Sequence, residues 1–219
     1  MASIVETVLS TKGLEEKFQY AIKNSFDIAM EAFLRFRKEN EAFFSFPQGN
    51  ILGHLLTYSI NKQLSDDSYY PNSVYSTQSK AINTFNYKGL MLYSGDYAVS
   101  VGRTAKSGFL LPVAKYKKEL ALANEGMDGQ LQFVLDDKDS LQVEKPFKYA
   151  QITYGVTKEK DVLTHLSILI PNSAYTGTAL DPIDLLSLQM PQIALVPEKE
   201  KEEQIVHLKN ALVSKAKII

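Results

Sequence analysis

The sequence predicts an α+β protein: an N-terminal helical hairpin packed on a central antiparallel β-sheet, followed by a C-terminal helix. Three observations carry this. Apolar residues recur at spacings of three and four from Gly13 to Asn40, and a broad apolar helix face follows from Pro47 to Leu64. From Phe85 the period drops to two, and the alternating segments follow one another through short polar turns, as hairpins do. The βαβα alternation that a parallel nucleotide-binding sheet requires is missing, which points to antiparallel pairing.

The first helix is read from Gly13 to Asn40, where Leu14, Phe18, Ile22, Phe26, Ala29, Phe33 and Phe36 form one apolar stripe and Glu15, Lys23, Asp27, Glu31 and Lys38 fill the opposite face. A second helix is expected from Pro47 to Leu64, with Ser45 placed to cap it and the proline tolerated in its first turn. The polar, tyrosine-rich stretch from Ser65 to Lys80, with Pro71 and Asn72, reads as a loop. Phe85 to Tyr93 and Tyr97 to Val101 alternate on either side of Ser94-Gly95-Asp96, a hairpin with a glycine turn. Phe109 to Leu111 reads as a short extended piece, and Val113 to Asn124 as a helix stopped by Gly126. A weaker hairpin is expected from Leu131 to Glu144. A stronger one joins Tyr149–Val156 to Val162–Ile170 and ends at Pro171. After a short apolar stretch at Ile183 to Leu188, Glu198 to Ala216 reads as a helix with glutamates at its start and Lys209 and Lys215 toward its end. The organisation expected is a helical segment over 1–64, a sheet core of about five to seven strands over 80–197 with one inserted helix, and a C-terminal helix over 198–219, in a single folded unit.

The 219 residues are 45% hydrophobic and contain no cysteine and no tryptophan. That is enough apolar content for a sizeable core, and the lack of cysteine excludes disulfides, thiolate metal sites and thiol nucleophiles. No basic leader precedes an apolar run at the N-terminus, and no window approaches about eighteen consecutive apolar residues, so a cytoplasmic protein without membrane contact is expected. Only Arg35, Arg37 and Arg103 are arginine among the basic residues, a usage that reads as an AT-rich bacterial or phage genome.

Catalytic signatures are thin. His54, His165 and His207 show no metal-binding spacing, there is no GxSxG, and the run Gly102 to Gly108 lacks the order of a phosphate loop. One enzyme reading survives: a metal-dependent nuclease of loosely PD-(D/E)xK type, in which Asp96 and Asp136 hold Mg²⁺ and Lys138 orients the attacking water. The same residues spell ordinary acidic β-turns. Outside that alternative no cofactor or metal is expected.

Charge gives the leading reading. The total of 24 basic and 25 acidic residues hides two unlike segments. Residues 80–118 hold seven basic residues against Asp96 alone, a net +6, whereas 128–144 hold five acids against Lys138, a net -4. Aromatic residues interleave with the basic ones, the mixture that neutralises phosphates and stacks bases. The expected function is therefore non-enzymatic binding, with nucleic acid as partner, through Arg103, Lys106, Lys115 and Lys118 together with Tyr97 and Tyr116. A further alternative is a protein-interaction module that uses Tyr69, Tyr70 and Tyr75 of the polar loop, or a homodimer formed by the N-terminal helices.

Overall fold

The computed structural model describes residues 14–44, 51–70, 72–81, 88–125 and 147–189. The phenylalanine stripe forms the helix it predicts, α1 (Glu16–Glu39), and Phe18, Ile22, Phe26, Phe33 and Phe36 are all buried. Asn40 ends the helix by turning its side-chain amide back onto the Phe36 carbonyl at 2.7 Å, with Arg37 and Lys38 at the negative end of the dipole. A single turn, α2 (Glu41–Phe44), precedes α3 (Ile51–Asp67). The two long helices pack through small polar contacts as well as apolar ones: the Ser59 hydroxyl donates to the Ala29 carbonyl at 3.0 Å.

Among the described residues six strands follow: β1 (Ser76–Ala81), β2 (Lys88–Ser94), β3 (Tyr97–Arg103), β4 (Lys148–Val156), β5 (Leu163–Leu169) and β6 (Ile183–Asp184). They lie side by side in chain order. Gly95 supplies the positive φ, 51°, that the β2–β3 turn needs. Every neighbouring pair is antiparallel except β3–β4, which is parallel. The antiparallel sheet expected from the sequence is present, with that one pair as its exception. A parallel pair needs a crossover, and residues 104–147 supply it, with α4 (Lys115–Ala121) and a 3₁₀ turn (Leu122–Asn124) on its way.

The strand register sorts the two faces of the sheet. Leu92, Val99, Ala150, Ile152, Tyr154, Leu166 and Ile168 join α1 and α3 in the main core, where the Phe26 and Tyr154 rings meet edge-on at 5.3 Å. The opposite face carries Ser100, Tyr149, Gln151, Thr153, His165 and Ser167, all buried beneath the crossover and the Tyr175 loop. Burying so much polarity is tolerable only if each group is paired. Gln151 accepts the Leu111 backbone N–H at 2.9 Å and donates to the Tyr175 hydroxyl at 2.6 Å, which donates in turn to the Leu111 carbonyl at 2.9 Å.

Asn124 solves a different problem. Continuing the β4–β5 register brings Pro171 opposite Tyr149, and proline has no N–H to give. The Asn124 amide stands in for the missing donor: it donates to the Tyr149 and Pro171 carbonyls at 2.8 and 2.7 Å, and accepts the Tyr149 N–H at 2.8 Å.

Other expectations are corrected or fall outside the described residues. The stretch read as a loop from Ser65 to Lys80 contains the end of α3 and most of β1. Phe109 to Leu111 belongs to no strand, although Leu111 is firmly held. The hairpin expected at 131–144 and the helix expected at 198–219 lie outside the described residues. Among the described residues no helix is long and apolar enough to cross a membrane.

Three consequences are measurable. A Cβ at Gly155 would collide with the His165 ring, reaching 2.5 Å from Nδ1 and 2.7 Å from Thr164 Oγ1, so Gly155→Ala is expected to cost roughly 1–3 kcal/mol in chemical denaturation. Asn124→Ala strands three buried backbone contacts and is expected to cost roughly 3 kcal/mol or more, whereas Ser59→Ala, which removes one hydroxyl bond, costs about 1 kcal/mol. Burial holds the His165 imidazole below its ordinary pKa of about 6.5, so the folded state binds its proton less readily than the unfolded chain. Stability is therefore present above about pH 6.5 and falls as the pH drops below it. Unfolding midpoints recorded across that window should fall with acidification, and the fall should be shallower in His165→Gln.

Candidate functional site

β2 and β3 pair only from Ser94↔Tyr97 to Met91↔Ser100. Beyond that point β2 continues along β1 as far as Lys88, and β3 continues along β4 as far as Arg103, so the sheet splits into a fork. A cavity of about 210 Å³ occupies it. Thr57 and Asn61 of α3 line one side, Gly102 and Arg103 of β3 another, with Tyr154 and, from α4, Tyr116. Among the described residues of this lining Arg103 is the only charged side chain.

Each wall has a local cause. Gly53, Thr57 and Asn61 recur every four residues and so form one stripe of α3. Thr57 donates to the Gly53 carbonyl at 3.0 Å and receives the Tyr154 hydroxyl at 3.1 Å, which fixes both oxygens at the cavity edge. At Gly102 a Cβ would lie 2.6 Å from Leu111 Cδ2, so the missing side chain is what lets the crossover close down over β3. At Gly53 a Cβ would lie 3.9 Å from Arg103 Nη1 and 3.7 Å from Lys160 Cε. Two cationic side chains thus converge on the first turn of α3. Neither forms an ion pair among the described residues, and the only hydrogen bond of Lys160 is a long one, 3.4 Å, to the Lys158 carbonyl. The Asn61 amide, half-buried, makes no side-chain hydrogen bond there either.

The basic residues singled out by the sequence all lie on or beside the crossover. Arg103, Lys106, Lys115 and Lys118 are exposed. Lys115 is paired only with Glu119 across 3.9 Å, at a site 92% exposed, where such a pair contributes little. Lys117, part of the same charge excess, turns inward instead: its ammonium donates to the Pro112 carbonyl at 2.8 Å, and burial lowers its pKa. Tyr116 reaches the cavity wall. Tyr97 does not reach solvent at all. It is fully buried in the main core, its hydroxyl has no hydrogen-bond partner, and its pKa is raised by burial and then by the charge of Asp96. A strand of this sheet buries every second residue against the helices, and Tyr97 falls in phase with Val99.

Among the tyrosines assigned to the polar loop, Tyr69 and Tyr70 are exposed, at 81% and 50%. Tyr75 is buried against Phe18, its hydroxyl 3.4 Å from Ser25 Oγ, because β1 begins one residue later and draws it into the core. Asp96 is exposed in the β2–β3 turn, where its carbonyl accepts the Lys148 N–H at 2.8 Å. Asp136 and Lys138, its partners in the nuclease reading, lie outside the described residues. Among the described residues no three His, Asp or Glu side chains group as metal ligands.

A larger hollow, about 510 Å³, lies between the end of α1, Leu52 and the β4–β5 turn. Arg37 and Lys38 there face Glu41 and Asp161, so its charges balance, unlike those at the fork.

Sequence reasoning missed Thr57, Asn61 and Lys160. The four-residue spacing of Gly53, Thr57 and Asn61 was the available signal for the first two; Lys160, in a polar turn, had none. No protein-family model matches the chain, and no curated protein or solved structure matches it either.

Proposed function

We propose that this protein binds nucleic acid without catalysis, by neutralising phosphates along the β3–β4 crossover. One observation supports the reading above the others. From Tyr97 to Lys118 the chain contains no acidic residue, and Arg103, Lys106, Lys115 and Lys118 of that stretch are all exposed. The stretch is also held in place. Thr104 bonds His165 at 2.8 Å, Leu111 is clamped by Gln151 and Tyr175, and Lys117 bonds Pro112. Cations mounted on an ordered segment lose little entropy when a polyanion docks. Phe109, 59% exposed between Lys106 and Lys115, adds an aromatic surface of the kind on which an unpaired base stacks.

The test is a salt titration of a fluorescently labelled single-stranded DNA or RNA. Four phosphate contacts predict that log K falls with log salt at a slope of about -3, since each contact on a single strand contributes about 0.7. Arg103→Ala should flatten the slope by about one contact while leaving the thermal midpoint in place. Binding that is absent at low salt, or indifferent to salt, removes the reading.

A further inference from the structure

We infer that the cavity at the β2–β3 fork receives the base of a single nucleotide unit, toward Asn61, with the phosphate outside it on Arg103 of the lining and on Lys160 beside it. The class of ligand rests on the nucleic-acid reading; the place rests on the cavity itself. Arg103 and Lys160 both approach Gly53 and neither forms an ion pair among the described residues, so a phosphate placed there has two charged donors to accept from. The size sets the rest. About 210 Å³ is below the roughly 300–1,000 Å³ of a site for a whole drug-sized ligand, so the fork holds one small group and leaves the remainder outside. The chemistry of the lining suits a base. Asn61 offers an amide with both a donor and an acceptor, the pair that reads the edge of a nucleobase, and Tyr116 offers a ring. The Thr57–Tyr154 hydroxyl pair is already satisfied internally and needs nothing from the ligand. An inorganic anion would use the cations and leave the amide idle.

The experiment is calorimetric titration of the full chain with AMP, CMP, GMP and UMP, and with inorganic phosphate as the reference probe. At least one mononucleotide is expected to bind more tightly than phosphate by about tenfold, the scale of one good contact to a base edge. Asn61→Leu should erase that difference, and Lys160→Gln should weaken mononucleotide and phosphate alike. Thermal melts show whether either variant is folded, and the two substitutions act on separate elements, so a failure of one leaves the other to decide.

The source of the nucleotide is read by competition. A single-stranded oligonucleotide that displaces the mononucleotide places a strand in the fork; one that binds with the expected salt slope but displaces nothing assigns the fork to free nucleotides. Equal affinity for phosphate and every mononucleotide, or a preference that survives Asn61→Leu, overturns the inference. If oligonucleotide binds with that slope while no mononucleotide binds and Asn61→Leu is without effect, the fork inference falls and the nucleic-acid reading stands. If mononucleotides bind and oligonucleotide does not, the reverse holds.

Discussion

The arrangement depends on how the crossover is fastened to the polar face of the sheet. That face offers the crossover only a small apolar cluster, Met91, Ala98, Tyr149 and Tyr175 against Ala121, and two buried amides add the directional part of the fastening. Gln151 and Tyr175 grip Leu111 by both its backbone groups, and Asn124 completes the edge of β4 where Pro171 cannot. Each hydrogen bond contributes only about 1 kcal/mol net, but each lost partner leaves a dry polar group behind, at about 1–3 kcal/mol. The network is therefore worth more against removal than it is as a sum, and it specifies one position for the crossover where a greasy contact would accept several.

That fixed position gives the charge distribution its meaning. A chain with a formal net charge of -1 has no global field to attract a polyanion. Its local field comes from placement: Arg103, Lys106 and Lys118 form no ion pair among the described residues, and the one acid beside Lys115 is too exposed to cancel it. Lys117 shows the opposite choice within the same helix. Its ammonium is spent on closing the turn at Pro112, so the sequence count of basic residues overstates the surface by one.

Helices α1, α3 and α4 and the two stronger hairpins were legible because their signals are local. Apolar residues every three or four positions from Phe18 to Phe36, and the glycine turn at Gly95, decide their own structure. β1 was not legible, because Ser76, Thr77, Gln78, Ser79 and Lys80 are polar on both sides and pair only because β2 is there to receive them. The parallel β3–β4 pair escaped for a related reason. β4 has a good hairpin partner in β5, and nothing local says which strand lies on its other side. Of the candidate site, the exposed lysines were readable from charge alone. The burial of Tyr97 and Tyr75 was not, since alternation tells which residues share a face without telling which face is covered. Thr57 and Asn61 were hidden as the unremarked side of a helix whose apolar residues claimed the reading.

The one parallel pair also accounts for where the cations meet. In an antiparallel sheet consecutive strands deliver their carboxyl ends to opposite edges. Because β3 and β4 run the same way, Arg103 at the end of β3 and Lys160 in the turn just after β4 arrive at the same edge, beside the first turn of α3. Open parallel sheets bring the carboxyl ends of their strands to one side for this geometric reason, and here one parallel step in an otherwise antiparallel sheet does the same for β3 and β4. The crossover that this step demands leaves the sheet at the same edge, which is why the acid-free segment and the fork share Arg103. Cavity, cations and basic surface are three consequences of a single change of strand direction.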